Sequence, residues 1–308
     1  MQAKEKAREV TAWAGATKSA VPMNRRRKDE RGVVENRPNP GGVVCDHLPI
    51  CLLKDVQGKP VCLIFSASCH PSMISGWDIS AEYPGAAMDK LDAHLGAPVS
   101  LFLQGAGGDA KPSVAGKGVD RWRPCTWADV AQAGHMLADE VIQALTAGLA
   151  QVQPRIRTEM TEVQWPMQPP MSKDKYAAIA ADTRAGEVRR LWAKKIVENL
   201  DRGEPLPTSV PILVQGIQLG KGLRFIGLEG EAVGGLGLHM LGFYRDGVTF
   251  PMGYCNGEGL YLPTSDQIDE GGYEVVSFWE YGFPAPLAKG FESILTRTLE
   301  HLRVQGVE

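Results

Sequence analysis

Three separated stretches of this sequence carry side chains that bind metal ions or move protons. The first is Cys69-His70-Pro71, which closes an apolar run beginning near Val61. A histidine at a strand end, followed by a proline that cannot continue the ladder, is held where a pocket opens. The second is Glu231, reached directly from the buried-type strand Leu223 to Leu228 and followed by a helix. The third is a Gly-rich stretch from Gly253 to Glu274, with Tyr261 and Tyr273 in segments too polar and broken for core packing. Imidazole nitrogen, carboxylate oxygen and a deprotonated phenol can together hold a hard or borderline cation. Each position also has a plainer reading. His70 reads as a structural imidazole, Glu231 as a helix-start carboxylate favoured by the macrodipole, and the tyrosines as half-buried aromatics on a turn.

The elements that must position these residues follow from periodicity and punctuation. Residues 4 to about 20 read as a helix from their alanine and charge spacing, and Pro22 to Gly42 as a loop. Val43 to Leu53 and Pro60 to Ser68 are apolar runs joined by a turn-like Lys54 to Lys59 and predict a strand pair. Tyr83 to Leu95 predicts a helix with Pro84 in its first turn and Gly96 at its end. Val99 to Gln104 is a short strand running into Gly105-Ala106-Gly107-Gly108-Asp109, where missing side chains let a ligand or another strand come close.

Thr126 can cap a long helix reaching Ala150. A charged helical stretch spans Lys173 to Leu200, the core of a surface excursion at about 172–203. Ile212 to Leu219 and Leu223 to Leu228 form a second strand pair, a last strand lies near Thr249 to Tyr254, and helices are predicted near 233–245 and 285–302. This mixture predicts one α/β domain over 1–308, a layered sandwich whose mixed, partly antiparallel sheet is flanked by helices.

Composition narrows the function classes. The formal net charge is -3, from 33 basic and 36 acidic residues, which argues against nucleic acid or an anionic membrane as a partner found through bulk charge. The dense basic run Arg25 to Lys28 meets Asp29 and Glu30 at once and reads as a solvated turn. No apolar stretch approaches the ~20 residues of a membrane span, so a soluble protein is expected. The first twenty residues lack the apolar core of a secretory signal, and the compartment stays open. Six cysteines without a C-x-x-C pair read as mostly buried free thiols.

Taken in order, six motifs carry a resemblance. They are His-Pro-Ser at 70–72, Ser-Ala-Glu-Tyr-Pro-Gly at 80–85, Phe-Leu-Gln-Gly-Ala-Gly-Gly-Asp at 102–109, Gly-Glu at 230–231, Asn256 with Tyr-Leu-Pro-Thr at 261–264, and Gly-Gly-Tyr-Glu at 271–274. With Asn-Arg-Arg at 24–26, this series resembles the catalytic domain of the neutral/alkaline ceramidase-like zinc amide hydrolases. The resemblance implies hydrolysis of an amide, with an N-acylated lipid as one substrate class. His70, Glu231 and Tyr261 match the family's zinc ligands, and Tyr273 matches the tyrosine that stabilises the reacting carbonyl oxygen. Asn256, Gly105 and Asp109 fall in the matched segments as substrate-pocket residues.

Two departures shape the expectation. The family's first zinc histidine sits in an upstream Thr-His-Thr-His type segment that this sequence lacks, and His47 is the only histidine before His70. A Gly-Asp-x-Ser-Pro stretch is replaced by Gly108-Asp109-Ala110-Lys111-Pro112, which weakens ceramide in particular as substrate. The expectation is therefore a catalytic domain without its N-terminal part, that part being lost or supplied by another polypeptide, with zinc held weakly. The alternative is a degenerate, non-catalytic relative that binds a ligand or partner.

Overall fold

The structure is a computed structural model describing residues 2–5 and 7–308. From Val10 the chain runs through five strands: β1 (Val10–Lys18), β2 (Pro22–Lys28), β3 (Val34–Asn39), β4 (His47–Asp55) and β5 (Pro60–Ala67). Helix α1 (Glu82–Leu95), β6 (Ser100–Gln104), β7 (Ala110–Pro112), α2 (Trp127–Ala147), β8 (Ala150–Val152) and β9 (Pro154–Pro166) follow. Then come α3 (Lys173–Ala181), α4 (Glu187–Asp201), β10 (Ser209–Gly220), β11 (Leu223–Leu228) and β12 (Glu231–Ala232). The chain ends with α5 (Gly234–Phe243), β13 (Val248–Met252), β14 (Tyr261–Leu262), α6 (Ser265–Glu270), α7 (Tyr273–Val276) and α8 (Phe291–Val304).

Two mixed sheets stack face to face, one ordered β6-β5-β4-β1-β8 and the other β13-β11-β10-β9. Side-chain alternation along the strands explains the layers, because successive residues point to opposite faces. On β4, Leu48, Ile50 and Leu52 pack under Leu91 of α1 and Leu137 of α2. Cys51 between them turns inward to meet Leu223, Phe225 and Phe250 of the second sheet. On β11 the outward residues Ile226 and Leu228 join Leu236 of α5 and Leu295 of α8. The result is a helix–sheet–sheet–helix sandwich, the layered α/β architecture predicted above.

Several local expectations are corrected. The helix expected over residues 4 to about 20 is a strand over most of its length: β1 pairs with β4 from Val10↔Asp55 to Lys18↔His47 and with β8 on its other edge. Residue 6 lies outside the described residues, and Gln2–Glu5 form one short helical turn. Alanine's helical preference is worth only tenths of a kcal/mol per residue, about 0–0.7 on the usual scales, and pairing on both edges overrides it. The loop expected over 22–42 contains β2 and β3, which form a third sheet with β7. Strand β9, paired along its length with β10, had no apolar alternation to reveal it, since it is an edge strand whose residues are mostly exposed.

The excursion near 172–203 is two helices rather than one, separated at Asp182 to Gly186 and packed together around Tyr176, Trp192 and Ile196. The last helix starts at Phe291, later than expected, after Gly290 at a φ of 104°.

The basic run is corrected as well. Arg25 and Arg26 lie buried in β2 at 7% and 6% exposure, not on a solvated turn. Both guanidinium groups meet the buried Glu274 carboxylate, Arg25 through Nε at 2.8 Å and Arg26 through Nη1. The Glu274 carboxylate serves both cations where solvent cannot, and Glu270 gives Arg26 a second partner at 3.2 Å.

Candidate active site

The loop Gly105 to Asp109 stitches the two large sheets together. Gly105 bridges Met252, and the Ala106 amide donates to the Pro251 carbonyl at 3.0 Å. The next glycines are dictated by closeness. A Cβ on Gly107 would lie 2.3 Å from the Cys69 nitrogen, and one on Gly108 would lie 2.6 Å from the Glu231 carbonyl oxygen. The Gly-rich segment thus slides between the end of β5 and the start of β12 and sets the spacing of His70 and Glu231.

Glu231 and Tyr261 are register partners in the parallel ladder β12–β14, so their side chains leave the same face. Across from them, His70 Nε2 lies 2.9 Å from Glu231 Oε2 and 3.5 Å from the Tyr261 hydroxyl. The structure therefore brings His70, Glu231 and Tyr261 together. It adds Tyr254, whose hydroxyl is 2.9 Å from both His70 Nε2 and Glu231 Oε2, and Tyr281, which donates to Glu231 Oε1 at 2.9 Å. Burial would raise the Glu231 carboxyl, but hydrogen bonds from His70 and Tyr261 outweigh it and hold the group down at about 2. Burial pushes the Tyr254 and Tyr281 phenols up, with the Glu231 charge adding to it.

The donor set fits a metal ion. His70 Nδ1 lies 3.2 Å from the Ala110 carbonyl, which can only accept, so Nδ1 carries a proton and Nε2, facing Glu231 Oε2 at 2.9 Å, is left to hold a second proton or a metal ion. Ligand atoms about 2.0–2.2 Å from a tetrahedral zinc stand about 3.3 Å apart, and the separations of 2.9 and 3.5 Å bracket that value. No cluster of three or more His, Cys, Asp or Glu side chains suited to a metal occurs among the described residues; the third donor here is a phenol.

Tyr273 stands beside this cluster, its ring 5.5 Å from that of Tyr261. Its hydroxyl donates to Glu280 Oε2 at 2.9 Å, and the phenol is pushed up to about 12 by burial and by Glu280. The substrate-pocket candidates are placed differently. Asp109 is fully buried, taking hydrogen bonds from the Gly234 amide and Gln267 Nε2, both at 2.8 Å, so it ties the Gly-rich loop to α5 and α6. Gly105 serves the sheet bridge. Asn256, at a φ of 64°, donates to Gln215 on β10 at 3.2 Å. His47 is bound elsewhere, with Nε2 at 3.1 Å from the Thr249 carbonyl.

Sequence reasoning missed Tyr254 and Arg25. Tyr254 adopts a φ of 59°, a conformation rare outside glycine, which aims its hydroxyl at the His70–Glu231 pair. The Arg25 guanidinium lies 5.4 Å from the Tyr261 ring centre and 5.7 Å from that of Tyr273, and its Nη2 is buried without a hydrogen-bond partner. The available signal for Arg25 was its place in Asn-Arg-Arg at 24–26, which accompanies the six motifs of the resemblance.

Comparison with solved structures decides what this scaffold is like. Its fold is shared with neutral ceramidase. The crystal structure of neutral ceramidase from Pseudomonas aeruginosa superposes with a TM-score of 0.65 at 13% identity, covering 97% of this chain and 52% of that one. A ceramidase complexed with C2 gives a TM-score of 0.64 at 12% identity, covering 97% and 53%. The chain thus spans about half the length of these ceramidase structures. No protein-family model and no curated protein matches the sequence. At such identities the likeness to ceramidase is one of fold.

Proposed function

We propose that the chain is a catalytic unit of a ceramidase-like, zinc-dependent amide hydrolase. The observation that carries this reading is the convergence of His70, Glu231 and Tyr261 at 2.9–3.5 Å from three distant stretches of sequence. These three residues would hold zinc, with Tyr254 adjoining them. Bound there, zinc would supply Lewis-acid polarisation of an amide carbonyl and acidify a water molecule. The Ala110 carbonyl fixes the His70 ring so that Nε2 faces the centre. Tyr254 and Tyr281 hold the Glu231 carboxylate in place. Tyr273 would turn its hydroxyl from Glu280 to the oxygen that gains charge as the amide is attacked.

A lipid-like substrate is favoured by the loop that leaves the site after His70. Trp77 and Ile79 are fully exposed on it, while its base is tied down by Glu82, which accepts from the Met73 and Ile74 amides. Apolar side chains presented beside a polar centre suit an acyl chain. A second reading, a non-catalytic ligand-binding relative, is favoured by the single histidine in the cluster. A histidine donated by another polypeptide segment would complete the donor set under the first reading.

Metal content separates the two readings. The purified chain should take up zinc that a chelator removes, hydrolyse an N-acylated amine when loaded, and lose both properties in Glu231→Ala. Zinc content unaffected by that substitution would overturn the assignment.

A further inference from the structure

Arg25, paired through Nε with Glu274, lies beside the cluster, and Lys111 stands on the same side of it. Strand β2 pairs antiparallel with β7, Met23 opposite Lys111, so Arg25, two residues on from Met23, shares a face with Lys111. The Lys111 ammonium is half-buried, lies 5.2 Å from the Trp122 ring centre, and forms no ion pair among the described residues. Burial lowers its tendency to hold a proton, and the Arg25 charge lowers it further. Arg25 is 93% buried by its 7% exposure, yet its Nη2 has no partner. Of the carboxylates near these cations, Glu274 bridges Arg25 Nε and Arg26, and Glu82 is held through one oxygen by the Met73 and Ile74 amides while its other oxygen is buried without a hydrogen-bond partner.

A buried donor left without an acceptor is a standing cost, and a ligand atom that satisfies it binds correspondingly well. From this geometry we infer that the site takes amides bearing a carboxylate, of the N-acyl amino acid class, with Arg25 Nη2 and Lys111 Nζ receiving that carboxylate beside the scissile bond. The inference rests on the amide-hydrolase reading and deepens it. Lys111 is the residue that decides substrate choice, since it stands in the Gly108-Asp109-Ala110-Lys111-Pro112 segment whose Ala110 carbonyl orients His70. A charge-assisted hydrogen bond discriminates an anion from its neutral counterpart by about 10- to 100-fold.

The test uses the full chain with two probes, N-lauroylglycine and the neutral N-lauroylethanolamine. Calorimetric binding is measured on zinc-free protein and hydrolysis on zinc-loaded protein. Wild type should bind and cleave the anionic probe in preference by about tenfold or more, Lys111→Met should abolish the preference, and Lys111→Arg should keep it. Circular dichroism melts of the variants confirm folding. Equal binding of the two probes by wild type, or a preference untouched in Lys111→Met, overturns the inference. Preferential binding of the anion with no cleavage of either probe would support the carboxylate site and sink the hydrolase reading. Equal cleavage of both would do the reverse.

Discussion

Gly108 and Glu231 touch through their backbones: the Gly108 amide donates to the Ala232 carbonyl at 2.9 Å, and any Cβ at position 108 would stand 2.6 Å from the Glu231 carbonyl oxygen. The closeness belongs to backbone, which cannot swing aside as a side chain can. Gly108→Ala should therefore push β12 away from the Gly-rich loop, destabilise the chain by about 1–3 kcal/mol, and reduce zinc uptake. Urea denaturation with metal analysis checks both effects. A variant of wild-type stability and metal content would show that the loop adjusts freely.

Tyr261 and Tyr273 should fail in different ways. Tyr261→Phe removes a proposed ligand and should lower zinc occupancy. Tyr273→Phe should leave zinc in place and reduce turnover by about 100- to 1,000-fold, the usual loss for one oxyanion donor. Metal content and amide hydrolysis, measured together, distinguish them. A Tyr273→Phe protein with full zinc and full activity would remove that hydroxyl from the chemistry and leave it as a partner of Glu280.

Glu274 holds two buried arginines at once, with 2% of its side chain exposed. Glu274→Gln keeps the shape but strands the Arg25 charge and leaves Arg26 only the half-buried Glu270, a loss of about 3–5 kcal/mol for a broken buried pair. Thermal melts should show a lowered midpoint. Replacing an exposed pair such as Arg202 and Glu204 should change stability little.

The thiols should sort by burial. Cys45, Cys51 and Cys69 are buried, and burial pushes the Cys51 thiol up to about 12 and the Cys255 thiol up to about 11. A thiolate-selective reagent at mildly alkaline pH should modify none of these four until denaturant is added. Rapid labelling of Cys51 in the native chain would contradict the packing between the two sheets.

Much of the scaffold was legible in the sequence because its signals are local. Apolar runs gave β4, β5, β10 and β11; the Thr126 cap gave α2; and the six ordered motifs pointed to the neutral ceramidase fold that the structure shares at a TM-score of 0.65. What the sequence could not decide depends on partners far along the chain. An alanine-rich segment became β1 because β4 and β8 flank it, and an arginine run became buried because Glu274, some 250 positions away, neutralises it. His70, Glu231 and Tyr261 could be named from motifs, but their meeting at one point rests on Gly107 and Gly108 letting two strand ends approach within van der Waals contact. The strained φ of Tyr254 and the orphaned Nη2 of Arg25 had no sequence signal, since both exist only once the chain has closed around them.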